Sequence, residues 1–247
     1  MRFPAGPSAL HAVGAALGLA AASAASAGAV ELPARYPVHT NVTATVFWIG
    51  EPQGNGSSEN NALSAWDDSW QAHYGGADTT ARRSFPFFPP FRPRENPFYL
   101  DLPYNDFTDD GDPRPDRTKV IPWAGRYGAQ LAAARRAGNP YSLMKNRWVR
   151  LWRTVGGRTL TCYGQIEDSG PYVYDDARYV FGTGDPRPQS REANGAGLDV
   201  SPAIRDCLRF AGLNDDASRV SWQFVERAAV PKGPWTRVVT TRQVAWR

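Results

Sequence analysis

Two stretches place an acidic side chain at the end of an apolar run: Gln165-Ile166-Glu167-Asp168-Ser169-Gly170-Pro171-Tyr172 and Gly197-Leu198-Asp199-Val200-Ser201-Pro202-Ala203. A Gly-Pro turn follows Asp168. After Asp199, Ser201 suits a helix N-cap and Pro202 the first helical position. A carboxylate at such a place is fixed by regular backbone yet faces outward. A neighbouring carboxylate or an apolar wall then raises its pKa and makes it a usable general acid. Asp168 and Asp199 are therefore the candidate catalytic pair. The plainer alternative for each is that it caps the backbone of its own turn. Glu167 alternates with Asp168, so one of the two faces inward, and a solvated charge is the plain reading of Glu167.

The elements that must hold these residues are mostly short strands. Residues 41–50 are β-branched and aromatic, and residues 98–102 form a shorter strand candidate. In 148–153, Trp148, Arg150 and Trp152 face one way, Val149 and Leu151 the other. Gly156-Gly157 turns the chain back into a strand over 158–166. Further strands are expected at 197–200, 220–225 and 238–244. Short helices are expected at 64–74, with Trp66 and Trp70 on one face, at 128–137, and after Ser201. The last of these puts Ile204, Cys207, Leu208 and Ala211 on one face and stops at Gly212. Residues 85–97 carry too many prolines for a regular element. Short strands with small helices in the connections favour a β-barrel.

The two acidic stretches resemble the signature of the double-psi β-barrel shared by rare lipoprotein A-like proteins, expansins, barwin and family 45 endoglucanases. The rare lipoprotein A-like pattern is strand–Asp–Arg–Gly–Pro–aromatic, then strand–Asp–Leu–Ser–x–Ala. Asp168 to Tyr172 fits the first with Ser169 in place of Arg; Asp199 to Ala203 fits the second with Val200 in place of Leu. Thr43 to Trp48 is similar to the opening strand of the same barrel. The resemblance implies a mostly β, six-stranded double-psi barrel over 41–245, with short helices and a long irregular insertion at 51–145.

In activity it implies glycan chemistry. Lytic transglycosylases with this barrel use one Asp as acid and then as base; the endoglucanases use two carboxylates. By position Asp199 is the acid, with Asp168 beside it in support. The endoglucanase base position falls on Ile49, which carries no proton, and Glu51 substitutes only if the strand end bends. Inverting hydrolysis, which needs carboxylates roughly 6.5–9.5 Å apart, is therefore the weaker expectation. Thr45, Phe47, Trp48, Glu51, Tyr104 and Tyr172 are the expected sugar-binding set. Two other outcomes stay open: an expansin-like module that binds the wall without cleaving it, and a secreted structural or inhibitor protein.

Composition sets the outer bounds. With 28 Lys+Arg against 24 Asp+Glu, the net charge of +4 is too small to indicate a nucleic-acid partner. Arg2, the apolar run 9–22 and the small residues at 25–29 read as a signal peptide over 1–27, so the protein is expected to be secreted or periplasmic. The run is short for a membrane span. In an exported chain Cys162 and Cys207 read as a disulfide, with two buried thiols as the alternative. Nine tryptophans give material for sugar stacking, and Trp48, Trp66, Trp70 and Tyr104 are placed to border a groove, although core packing is the commoner fate of a Trp. Asp106, Thr108 and Asp110 match the first ligands of a calcium loop, but Arg117 stands where the bidentate Glu belongs, so a solvated acidic loop is expected. No cofactor or metal is expected, and the anticipated partner is a cell-wall polysaccharide met by a monomer.

Overall fold

A computed structural model describes residues 36–54, 60–213 and 218–246. The signal segment expected at 1–27 lies outside them. Six strands, β1 (Val38–Val46), β2 (Tyr99–Leu102), β3 (Trp148–Val155), β4 (Arg158–Ser169), β5 (Ala196–Val200) and β6 (Arg219–Val225), close in the order β1-β5-β2-β4-β3-β6. The pairs β1/β5 and β2/β4 are parallel, and the other four are antiparallel. The expected mostly β, six-stranded barrel is therefore the fold. Closure leaves no unpaired strand edge.

The period-2 pattern decides what fills the barrel. Val149 and Leu151 are fully buried, together with Leu100, Ile166, Leu198, Val200 and Trp222. Gly164 on β4 is required by close approach. A Cβ there would lie 2.7 Å from the Phe98 carbonyl oxygen and 2.8 Å from Ile204 Cδ1. Among the described residues six α-helices sit in the connections: α1 (Trp70–Tyr74), α2 (Arg117–Val120), α3 (Gly128–Ala137), α4 (Ala177–Phe181), α5 (Glu192–Gly195) and α6 (Pro202–Leu208). The Cys162–Cys207 disulfide ties β4 to α6 across a sequence separation of 45. Both cysteines are thus bonded rather than free, and a loop of that length is worth about 4 kcal/mol on the chain-entropy account.

Several expectations change. The segment 51–145 is not one insertion, because it contains β2, the strand that joins β5 to β4. The helix expected over 64–74 shrinks to α1, and Trp66 and Trp70 are fully buried, not at a groove edge. Residues 238–244 form no strand. Their polar groups go to side chains instead: Thr240 N donates to Gln165 Oε1 at 3.0 Å, and Thr240 Oγ1 accepts from Asn96 N at 2.9 Å. α6 ends at Arg209, in the left-handed conformation, before Gly212 is reached.

Candidate functional site

Strand pairing gathers four acidic residues. The β1/β5 register sets Thr45 beside Asp199, and the β2/β4 register sets Asp101 beside Asp168. Asp101 Oδ1 accepts the Asp199 backbone N–H at 2.7 Å, which links the two pairs. Glu51, just past β1, lies close enough to raise the Asp199 pKa. The cluster is thus Asp199, Asp101, Asp168 and Glu51, with the Thr45 hydroxyl donating to Asp199 Oδ1.

The four carboxyls differ in environment. Asp199 is half-buried. Burial first, then the charges of Glu51 and Asp168, push it up to about 7. Burial likewise lifts Glu51 to about 7, against hydrogen bonds from the Trp48 backbone and Asn61. Asp101 is held well above the usual carboxylate range by burial and by the charges of Asp199 and Asp168. Its surroundings admit no larger neighbour. Gly170 (φ +151°) passes so close that a Cβ would sit 3.0 Å from Asp101 Oδ2. Asp168 is half-buried, and its Oδ1 accepts two backbone N–H groups, from Ala65 and Ser169, both at 2.8 Å.

The capping alternative therefore separates the two candidates. Asp168 does secure its own turn. Asp199 is spared that duty because Ser201 caps α6, accepting from Ile204 N at 3.3 Å. Ser201→Ala is expected to cost about 1 kcal/mol, read as a lower urea midpoint at unchanged slope. An unchanged midpoint would show that the cap does not hold the helix.

Of the expected sugar-binding set, Thr45, Glu51 and Tyr172 join the cluster. Tyr172 is 45% exposed, and burial together with the charges of Asp199 and Glu192 raises its phenol. Trp48 is half-buried, two residues past the end of β1. Phe47 and Tyr104 are corrected. Phe47 packs in a core cluster with Trp70 and Tyr99, and Tyr104 is 1% exposed against Phe181. Both follow strands into the interior, where an aromatic ring gains more by burial than on a rim. Beside Asp168 an open cavity of about 420 Å³ is lined by Asn60, Leu63, Ala65, Asn105 and Tyr174.

Asp106, expected in a solvated acidic loop, is instead buried. It accepts from Ser142 Oγ at 2.6 Å, Leu143 N at 2.7 Å and Arg117 Nη1 at 3.1 Å, so Arg117 replaces a metal as its counter-charge. Glu167 is also buried, paired with Lys145 Nζ at 2.7 Å, not solvated. Asp101 is the member that pattern reading missed, although an acid between two leucines in Tyr99-Leu100-Asp101-Leu102 was a visible signal.

Fold and site together define a closed mixed β-barrel carrying a cluster of carboxyls at its paired strands, with the pKa values of Asp199, Asp101 and Glu51 raised. Comparison of the chain with family models, curated proteins and solved structures returns no match. Among the described residues no helix is long and apolar enough to cross a membrane.

Proposed function

We propose that this protein cleaves a cell-wall glycan, in the manner of a lytic transglycosylase, with Asp199 as the general acid. The observation that carries this reading is one half-buried carboxyl, free of backbone capping, with a pKa raised to about 7 by burial and acidic neighbours. Protonated below pH 7, Asp199 would give its proton to the glycosidic oxygen. The resulting carboxylate would take a proton from the attacking hydroxyl, so one residue serves both halves of the reaction. Glu51, itself raised to about 7, would be mostly protonated in the same acidic range where Asp199 keeps its proton, and so would not be a separate ionised base there. An inverting hydrolase needs a second carboxylate that starts ionised and takes the proton of the attacking water, so this pair of acids supports it less well. Tyr172 and Trp48 would offer ring faces to the sugar, and Thr45 would fix the acid's orientation. A monomer acting outside the cytoplasm belongs to the same proposal; the Cys162–Cys207 bond fits an oxidising environment.

The test is release of soluble fragments from purified peptidoglycan as a function of pH. Release is expected to be highest below pH 7 and to fall about tenfold per unit above it, as the acid loses its proton. Retention on the insoluble glycan without release at any pH would replace cleavage by expansin-like binding. Neither retention nor release would leave a structural role.

A further inference from the structure

The proline- and phenylalanine-rich stretch belongs to no strand or helix, yet it builds the walls of a cavity. Residues 79–94 hold Arg82, Arg83, Arg92 and Arg94 and no acidic residue. With Arg237 and Val238 they enclose an open cleft of about 850 Å³, within the size range of small-ligand sites. No Asp or Glu lines it.

Its arginines fall into two groups. Arg82 and Arg83 are structural. Arg82 Nη1 meets Asp206 Oδ1 at 2.8 Å, its Nη2 meets the Phe210 and Ala211 carbonyls at 2.7 Å, and Arg83 pairs with Asp78. These bonds fix the cleft to α6, so a ligand need not order it. Arg92 and Arg237 are exposed, and among the described residues neither guanidinium has a carboxylate partner. Arg237 lies over Phe85, 4.8 Å from the ring centroid, and Phe85 keeps 63% of its surface open.

Two unneutralised planar forks match a carboxylate, and the phenyl face matches the CH face of a pyranose. We propose that this cleft binds a carboxylate-bearing sugar, its ring on Phe85 and its carboxylate between Arg92 and Arg237. An acidic peptide would satisfy the charges but bring no ring to the phenyl face. The site is separate from the Asp199 chemistry and stands without it.

Calorimetric titration of the full chain at low salt tests the assignment, with tetragalacturonate, cellotetraose, tetraglutamate and inorganic phosphate as probes. Tetragalacturonate is expected to bind at least tenfold more tightly than any other probe. Phe85→Ala and the double variant Arg92→Gln/Arg237→Gln should each weaken it at least tenfold, and Asp199→Asn should leave it within twofold. All three cleft side chains are exposed, and unchanged thermal midpoints verify that the variants are folded. The proposal is overturned by no uronate binding to wild type, by equal affinity in folded cleft variants, by loss on Asp199→Asn, or by phosphate or tetraglutamate binding as tightly as the uronate.

Discussion

Asp199→Asn is expected to lower glycan release by about 10²–10⁴-fold, the range that general acid catalysis supplies. Asparagine keeps the shape of the side chain, and its carbonyl oxygen can still accept the Thr45 hydroxyl. The loss would therefore report the missing proton and not a collapsed site. A second readout runs in the opposite direction. The folded-state pKa of Asp199, about 7, lies above its ordinary value of 3.8. The folded protein thus holds this proton more tightly than the unfolded chain, and wild type loses stability as pH rises from about 4 through about 7. The substitution removes that loss. At pH 8 the variant should be more stable than wild type by on the order of 1–2 kcal/mol, a figure reduced for the partial exposure of the group. Below about pH 4 this linkage gain should vanish. Full activity after Asp199→Asn, or a variant less stable than wild type at pH 8, would remove Asp199 from the role.

Lys145→Met should have the largest effect on the fold itself. Lys145 and Glu167 have almost no exposed side-chain surface and meet at 2.7 Å. Burial pulls the lysine pKa down, but Glu167, Glu95 and Asp67 outweigh it and the net shift is upward. Removing the cation leaves buried carboxyls without their counter-charge, a change that typically costs about 3–5 kcal/mol. The cost should depend on pH. Burial already raises Glu167 to about 7 with the lysine present, and without it the carboxyl holds its proton still higher. At pH 5.5 the variant keeps Glu167 neutral and loses less; at pH 8 it loses more. Lys145→Met/Glu167→Leu should recover part of the difference, with the remainder due to Glu95 and Asp67. Equal losses at both pH values, measured by urea denaturation, would show that packing and not charge dominates at this position.

Local signals were strong where propensity and packing agree. The alternation in 148–153, the Gly156-Gly157 turn, the helix at 128–137 and the Ser201-Pro202 helix start all appear where the residues place them. Asp199 and Thr45 come together because a parallel pair aligns them, a pairing between residues distant in sequence that their local patterns do not announce. What escaped depends on contacts distant in sequence. Residues 238–244 have strand composition, but Gln165 and Asn96 take up polar groups that a neighbouring strand would otherwise have paired. Glu167 looked solvated because its partner is 22 residues away in sequence. Asp101 escaped because β2 is a four-residue strand inside a stretch dominated by prolines and loops. Phe47 and Tyr104 were misjudged because an aromatic at a strand end serves a rim or a core equally well until the neighbouring rings are known.

The sulfur bridge has an environmental consequence. Cys162 lies on the strand that carries Asp168, and Cys207 on the helix that leaves the strand carrying Asp199. The bridge therefore spans the two limbs of the acid cluster, with β2 between them. Chains in a thiol-rich milieu would possess every acidic group and the strand pairing that gathers them, but not the covalent tie between β4 and α6. Reduction would then loosen the link between β4 and α6 while leaving every carboxyl in place, so thiol conditions should lower the stability of the barrel before they alter its acids.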